Sequence, residues 1–242
     1  MSSALRPTTW LITGASRGIG FEFVRLLLSS PGNLVIAACR RPENATALHT
    51  LKKSDRGEGL HVVQMDVSDF DSIRESVESL EPILGELGLD YLINNAGVIA
   101  EDTAFTLSPE QLMDILRTNV AGPALVSQVC LPFLEKGARK LILNVSSTGG
   151  SITTSCQRVD KEYTSYSLSK AALNMLTVKQ RAERPDITAI TLDPGWVKTD
   201  MGGKEGLLEP EESISGILKI VTSATPADSG KYLRYNGESL PW

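Results

Sequence analysis

A tyrosine and a lysine four residues apart, Tyr166 and Lys170, form the pair in this 242-residue chain best suited to proton transfer. In a helix, this spacing places both side chains on one face and within mutual reach. A free tyrosine, with a pKa of about 10, is a poor proton donor at neutral pH. An ammonium about 4 Å away, interacting by about 4 kcal/mol at an effective dielectric of about 20, would lower that pKa by up to about three units. The spacing therefore predicts an acidified phenol, with an amphipathic helix carrying an unrelated Tyr and Lys as the alternative.

Other catalytic residue types are scarce. The chain has only two histidines, His49 and His61, and neither lies in a motif. Two isolated histidines are too few to suggest a Ser-His-Asp hydrolase or a His-rich metal site, and no metal site is predicted. The three cysteines, Cys39, Cys130 and Cys156, are far apart and form no Cys-x-x-Cys, so neither a disulfide framework nor a zinc knuckle is expected. Acid–base chemistry must use tyrosine, lysine, cysteine or carboxylates.

Two further polar positions could take part in such chemistry. Ser146 and Ser147 follow a predicted strand, and a hydroxyl at the carboxyl end of a parallel strand faces the crevice where such sheets bind ligands. A hydroxyl there can hold a substrate carbonyl while negative charge develops on its oxygen. Asn119 lies within a predicted helix, where asparagine is an indifferent helix former, so it is either functional or simply exposed.

The elements that must position these residues alternate along the whole chain. Short runs rich in Val, Ile and Leu alternate with longer helical stretches, which predicts an α/β fold: a single-domain, Rossmann-type, doubly wound parallel sheet with helices on both faces. The predicted strands are Thr9–Thr13, Leu34–Ala38, Leu60–Met65, Tyr91–Ile93, Lys140–Val145 and Ile187–Leu192, and the predicted helices lie near 18–30, 43–54, 69–87, 109–136 and 163–184. Ser108 is the predicted cap of the fourth helix, and Ser68 or Asp69 that of the third. No linker divides residues 1–242, and residues 194–212 are expected to form a mobile substrate loop.

A glycine-rich turn joins the first strand to the first helix, with the sequence Thr13-Gly14-Ala15-Ser16-Arg17-Gly18-Ile19-Gly20. In this context Gly14 can take the tight turn, Gly18 can let a diphosphate approach the backbone, and Gly20 can allow close packing. The amino terminus of the following helix attracts phosphate. The predicted cofactor-binding residues here are Gly14, Ser16, Arg17, Gly18, Ile19 and Gly20, and a glycine turn without a ligand is the alternative.

The end of the second strand indicates which dinucleotide would bind. Proteins that bind NAD usually place an acidic residue about 20 residues beyond the glycines, where it bonds the ribose 2′-hydroxyl. Here Arg40 and Arg41 follow the strand, and no acid precedes Glu43. A guanidinium can bind a 2′-phosphate bidentately, and Arg17 could approach the same phosphate. The pattern predicts NADP(H), unless Arg40 and Arg41 are merely solvated loop charges.

Taken in order, these segments resemble the short-chain dehydrogenase/reductase family. TGASRGIG resembles its cofactor turn, Asn94-Asn95-Ala96-Gly97 its NNAG motif, Asn119 its catalytic asparagine, Ser146-Ser147 its serine, Tyr166-x-x-x-Lys170 its YxxxK motif, and Pro194-Gly195-x-Val197-x-Thr199 the loop after its sixth strand. The resemblance extends to Gly230-Lys231-Tyr232, and within the family it is nearest to sniffer/C-factor-like and carbonyl-reductase-like members.

The resemblance implies roles for individual residues. It makes Asn119, Ser147, Tyr166 and Lys170 catalytic, with Ser146 as the alternative serine. It implies that Asn119 holds a water linked to Lys170, that Lys170 bonds the cofactor ribose, and that the protein pairs through the helices near 109–136 and 163–184. The residues that it places along the cofactor are Asp66, Val67, Asn94, Ala96, Gly97, Tyr166, Lys170, Pro194, Gly195, Val197 and Thr199. Asp66 taken alone could instead cap a helix.

The function expected from these observations is NADPH-dependent reduction of a small-molecule carbonyl, or the reverse oxidation. Reduction of an activated C=C or imine, and NADPH sensing without turnover, are the alternatives. Trp196, Met201, Leu207 and Leu208 could form an apolar substrate wall, although Trp196 fits a core position equally well. The stretch from Gly150 to Lys161 lengthens the distance between Ser147 and Tyr166 beyond that usual in the family and is expected to shape the substrate mouth.

The remaining expectations concern partners and location. The net charge of −5, without a Lys/Arg cluster, argues against nucleic-acid binding. The start of the chain lacks the features of a signal peptide, and no apolar run approaches the ~18 residues of a membrane span. A cytoplasmic protein that does not bind membranes is expected.

Overall fold

A seven-stranded sheet forms the centre of the computed structural model, which describes residues 6–157 and 161–242. The strands are β1 (Thr8–Thr13), β2 (Asn33–Cys39), β3 (Leu60–Gln64), β4 (Tyr91–Asn94), β5 (Leu141–Val145), β6 (Thr188–Asp193) and β7 (Tyr232–Arg234). Every neighbouring pair is parallel, in the order β3-β2-β1-β4-β5-β6-β7. The predicted doubly wound parallel sheet is confirmed.

Helices cover both faces of the sheet. They are α1 (Gly18–Leu27), α2 (Thr46–Lys52), α3 (Phe70–Leu84), α4 (Pro109–Leu116), α5 (Gly122–Lys136), α6 (Ile152–Gln157), α7 (Thr164–Glu183) and α8 (Pro210–Ser223). Because side chains alternate along a strand, β1 contributes Trp10 and Ile12 to one core and Leu11 to the other. The first core contains residues of α1 and α8, and the second contains residues of α3 and α5.

The structure departs from the predicted elements in several places. The predicted helix over 109–136 is interrupted by a π-helical turn, Arg117–Ala121, and the elements α6, α8 and β7 were not predicted. The predicted loop 194–212 ends earlier, because α8 begins at Pro210, and short bridges such as Val197–Leu208 fold the loop back on itself. Asp69, rather than Ser68, caps α3, and Ser108 caps α4 as predicted.

The order of the strands reverses after β1, because β2 and β3 lie on one side of it and β4 to β7 on the other. Ligands of such sheets bind at the carboxyl ends of the strands where this reversal occurs. The glycine turn, the NNAG segment, the two serines and the 194–209 loop all begin at this edge. Within the described ranges, no helix is long and apolar enough to cross a membrane.

Candidate active site

The glycine turn forms a cradle in which side chains would not fit. Gly14 and Gly18 both have left-handed backbones, with φ of 64° and 54°. A Cβ atom on Gly14 would lie 2.9 Å from the Cα atom of Ala96, and one on Gly20 would lie 2.3 Å from the carbonyl oxygen of Gly14. Arg17, the N-cap residue of α1, makes no side-chain capping bond, so the first N–H groups of this helix remain available for an anion. Bare backbone at a helix amino terminus fits a diphosphate.

Asn95 supports this cradle from behind. Its side-chain amide donates to the carbonyl oxygen of Thr13 at 2.8 Å, and its backbone N–H bonds the Thr13 hydroxyl at 3.0 Å. Sequence reasoning left Asn95 out of the site, although the second asparagine of the NNAG segment was a signal for it. Asn94 instead points into the core, where its amide donates to Asn144 at 2.9 Å and Ser127 at 3.2 Å. The predicted place of Asn94 along the cofactor can therefore involve only its main chain.

The arginines after β2 are arranged differently from Arg17. Arg40 and Arg41 are exposed, and neither has an ion-pair partner within residues 6–157 and 161–242. Arg17 pairs with Asp200 of the 194–209 loop at 3.4 Å. Arg40 and Arg41 are thus free to meet a phosphate, whereas Arg17 contacts the loop.

The Asp66 carboxylate forms its hydrogen bonds with a residue close to it in the chain. One of its carboxylate oxygens accepts from the Ser68 N–H at 2.9 Å and from the Ser68 hydroxyl at 2.6 Å. The helix cap that the sequence left open for Asp66 is instead supplied by Asp69, and Asp66 stabilises the turn before α3. Val67 is buried, and a Cβ atom on Gly122 of α5 would lie 2.4 Å from its carbonyl oxygen.

Tyr166 and Lys170 share one face of α7, as the spacing predicts. The Lys170 Nζ atom lies 5.4 Å from the centre of the Tyr166 ring and donates to the carbonyl oxygen of Val145 at 2.7 Å. The Ser147 side chain lies close enough to the Tyr166 phenol to lower the pKa of the phenol. The structure therefore brings together three of the four residues predicted to be catalytic.

The predicted acidification of the phenol is wrong for the polypeptide by itself. Burial raises the pKa of Tyr166 to about 12, the nearby Ser147 side chain opposes that rise, and the charge of Asp193 adds to it. Burial also lowers the pKa of Lys170 to about 8, and the charge of Asp193 partly opposes this. The spacing gave the right neighbour for Tyr166, but loss of solvation is the largest effect on the pKa of the phenol, and it raises that pKa.

The two serines at the end of β5 differ in their environment. The Ser146 hydroxyl is buried and donates to the Asn174 side chain at 2.7 Å. The Ser147 hydroxyl accepts from the Gly149 N–H at 3.1 Å and faces Tyr166. Of the two, Ser147 is the one placed to meet a ligand next to the phenol.

Asn119 is the fourth predicted catalytic residue, and it lies in the π-helical turn between α4 and α5. Its amide accepts from the N–H of Val98 and donates to the carbonyl oxygen of Val98, both at 2.8 Å, and it also donates to Ser169 at 2.9 Å. A Cβ atom on the intervening Gly97 would lie 3.4 Å from the Asn119 Oδ1 atom and 3.7 Å from the Lys170 Nζ atom. The side chain thus pins the segment after β4 against α7, and π-helical turns are frequent at functional sites.

The 194–209 loop closes the site on its open side. A Cβ atom on Gly18 would lie 3.5 Å from the Thr199 side chain, so this loop reaches the glycine turn. Gly195 has a φ of 77°, and a Cβ atom there would lie 2.6 Å from Leu208. Pro194 and Val197 are buried beneath the loop. Of the residues predicted here, Thr199 is the one that the structure places against the glycine turn.

Apolar side chains line the outer part of this loop. Trp196 is 52% exposed, which excludes the core position left open by the sequence, and its indole N–H bonds the carbonyl oxygen of Gly202 at 2.6 Å. Met201 and Leu207 are also exposed, while Leu208 is half-buried. In the stretch expected to shape the mouth, α6 presents an exposed Ile152, and residues 158–160 lie outside the described residues.

One buried carboxylate at this edge was missed. Asp193, the last residue of β6, is 4% exposed and influences the pKa values of both Tyr166 and Lys170. An acidic residue at the end of an otherwise apolar strand was the available signal, since charged side chains are rarely buried without a partner.

A doubly wound sheet with a glycine cradle, and with polar side chains converging at its carboxyl edge, defines a Rossmann-type nucleotide-binding protein. Comparisons with known proteins make this more specific. The sequence profile described as short chain dehydrogenase matches residues 8–208. An uncharacterised oxidoreductase of Schizosaccharomyces pombe is 31% identical, over 96% of this chain and 97% of that protein.

Solved structures agree with this match. The NADPH-bound carbonyl reductase from chicken fatty liver is 36% identical with a TM-score of 0.91, covering 98% of this chain and 100% of that one. The carbonyl reductase Sniffer of D. melanogaster is 30% identical with a TM-score of 0.90, at the same coverage of 98% and 100%. The chain belongs to the short-chain dehydrogenase/reductase family, is an oxidoreductase, and is of the sniffer and carbonyl-reductase type.

Proposed function

We propose that this protein is an NADPH-dependent reductase of small-molecule carbonyl compounds. The observation that carries the proposal is the meeting of Ser147, Tyr166 and Lys170 in the crevice that also holds the glycine cradle. A carbonyl reduction needs a group that holds the oxygen, a proton donor and a cofactor site in one place, and this crevice offers all three.

NADP(H) is the proposed cofactor. The bare backbone of Gly14 and Gly18 would receive the diphosphate, with Ser16 and Ile19 alongside in the turn. Arg40 and Arg41 would bind the 2′-phosphate, because they are exposed, unpaired among the described residues and not faced by an acid. The NADPH-bound chicken enzyme, 36% identical, supports this choice. When bound, NADPH supplies the hydride, and every other task falls to the chain.

The proposed division of labour follows from the hydrogen bonds described above. The Ser147 hydroxyl holds the carbonyl oxygen as negative charge develops, and the Tyr166 phenol donates the proton to it. Lys170, fixed to Val145, places a positive charge beside the phenol and bonds the cofactor ribose. Asn119 keeps the segment after β4 in place next to Lys170, through its two bonds to Val98.

The proposed substrates are apolar ketones or aldehydes. Trp196, Met201 and Leu207 on the 194–209 loop, together with Val98 and Ile99 after β4, are all exposed apolar side chains. Exposed apolar residues that border a polar crevice are typical of a site for apolar ligands.

A homodimer formed through α4, α5 and α7 is a further proposal, as is a cytoplasmic location. Leu168 and Met175 lie seven residues apart on α7 and are both exposed, as is Met113 on α4. These positions give the helices apolar side chains with which a second copy could pack.

A panel of carbonyls, enones and imines, followed by NADPH absorbance, tests the proposed reaction. Turnover of ketones or aldehydes alone is the expected result. Turnover restricted to enones or imines would show that the site reduces C=C or C=N bonds instead of carbonyls. Tight NADPH binding without any turnover would favour a sensor.

A further inference from the structure

Asp193 is a buried carboxylate that the proposed reaction does not use. It ends β6 directly before the 194–209 loop, and its Oδ1 atom accepts from the N–H of Thr148 at 3.2 Å. Thr148 directly follows Ser147, and Pro194, the first residue of the 194–209 loop, directly follows Asp193. One carboxylate therefore ties the segment carrying the serine to the loop that closes the crevice.

Two residues of β7 complete this arrangement. The Arg234 Nε atom lies 3.5 Å from the Asp193 Oδ2 atom, and the Tyr232 phenol donates to the carbonyl oxygen of Ser147. The ionisable groups near the carboxylate are thus Arg234 and Tyr232 from β7 and Tyr166 and Lys170 from α7.

We propose that Asp193 is a positioning residue that fixes the Ser147 segment against the start of the 194–209 loop and places one negative charge behind Tyr166 and Lys170. The inference rests on the function proposed for the Ser147, Tyr166 and Lys170 site. Asp193 acts through its neighbours and does not itself contact the reacting atoms.

The charge balance at this site supports the role. Burial raises the pKa of Asp193, and nearby backbone N–H groups together with Arg234 offset only part of that rise. The negative charge in turn raises the pKa of Lys170 and of Tyr166, which keeps both groups protonated to higher pH. A protonated lysine and a protonated phenol are the forms that carbonyl reduction requires.

The experiment compares Asp193→Asn with Asp90→Asn in the full-length protein. The asparagine keeps an oxygen for the Thr148 N–H but removes the charge. Asp90 is a matched control, because it is also a buried carboxylate paired with an arginine, Arg6, but lies at the opposite end of the strands. Two pH profiles are measured for each variant: kcat for carbonyl reduction, and NADPH affinity from nicotinamide fluorescence.

In Asp193→Asn, the alkaline limbs of both profiles should move to lower pH by about one unit, the size of a tenfold change in a protonation equilibrium. Asp90→Asn should leave both limbs in place. A folded Asp193→Asn protein with unmoved limbs would overturn the inference. If that variant does not fold, Asp193→Ser, which also removes the charge, must show the same shift.

The affinity profile separates this inference from the proposed reaction, because it needs no carbonyl substrate. A moved limb in NADPH affinity, without turnover of any carbonyl by the wild type, would reject the reaction and keep the role of Asp193. Carbonyl turnover with both limbs unmoved would keep the reaction and reject that role.

Discussion

Two Asp–Arg pairs, each with a buried carboxylate, lie at opposite ends of the strands of the same sheet, and they are built differently. Asp90, just before β4, pairs with Arg6 at 2.9 Å and accepts from the N–H groups of Thr9 at 2.9 Å and Ala138 at 2.7 Å. Asp193, at the end of β6, has Arg234 at 3.5 Å and a Thr148 N–H at 3.2 Å. Both carboxylates are almost fully buried.

The two pKa values move in opposite directions. Burial acts to raise the pKa of Asp90, but the bonds from Thr9, Arg6 and Ala138 outweigh it, and the pKa is lowered. Burial raises the pKa of Asp193, and its partners do not outweigh it. The ionised form of Asp90 therefore stabilises the fold, whereas that of Asp193 opposes folding. A poorly compensated charge beside reacting groups is typical of a functional site.

The largest expected effect is on catalysis at the carboxyl edge. Tyr166→Phe removes the proton donor, and we expect kcat to fall by about 10²–10⁴-fold. NADPH affinity and thermal stability should change little, because the ring remains in place. Steady-state kinetics and nicotinamide fluorescence measure the two properties. Substantial residual turnover would contradict the role of the phenol.

At the opposite end of the strands, Asp90→Asn should affect stability instead. It removes the negative charge that faces Arg6 and accepts hydrogen bonds from several N–H groups. We expect the free energy of unfolding at pH 7 to fall by about 2–4 kcal/mol. Because the folded pKa of Asp90 lies below the unfolded value, its contribution is present above the ordinary carboxyl pKa of about 4 and is lost as pH falls further. Urea denaturation at several pH values measures this, and the difference between wild type and variant should shrink in acid.

Replacement of the two arginines after β2 is expected to have an intermediate effect. Arg40→Ala combined with Arg41→Ala removes both guanidinium groups proposed for the 2′-phosphate, and NADPH should bind about 10–100-fold more weakly, since a lost charge-assisted bond is worth about 1.5–3 kcal/mol. NADH, which lacks that phosphate, is the matched control ligand and should bind almost unchanged. Equal weakening of both would show that the arginines do not read the phosphate.

The smallest effect is expected from the exposed pair Arg17 and Asp200. Their side chains lie 3.4 Å apart at the surface, and such pairs contribute about 0–1 kcal/mol. Asp200→Asn should therefore leave thermal stability within experimental scatter. A clear loss of stability would mean that this contact holds the 194–209 loop over the glycine turn more firmly than its exposure indicates.

Local sequence was enough to predict the sheet, the glycine turn and the pairing of Tyr166 with Lys170. These features depend on periodicity and on spacing within one element. The π-helical turn at Asn119 was not predicted, because the phase shift that one extra residue causes in the apolar pattern is lost among the apolar residues that surround it in 109–136. A strand of three residues, as in β7, is likewise too short to show a pattern.

The sign of the Tyr166 pKa shift was also beyond the sequence. It depends on how much solvent the folded chain removes from the phenol, and on a carboxylate, Asp193, that lies 27 residues away along the chain. Burial and long-range charge are properties of the assembled structure. The same reason explains why the contact between Asp193 and Arg234 was missed.

The outermost strand, β7, supports two residues of the candidate active site although it lies at the margin of the sheet. It is hydrogen-bonded to β6 on one side only, yet it supplies Tyr232, which bonds the carbonyl oxygen of Ser147, and Arg234, which faces Asp193. Proteolytic trimming that removed this strand would leave the glycine turn, the NNAG segment, the two serines and the Tyr166–Lys170 pair intact. Such a shortened polypeptide would still be classified as a reductase from its sequence, while its serine and its buried carboxylate had both lost their support.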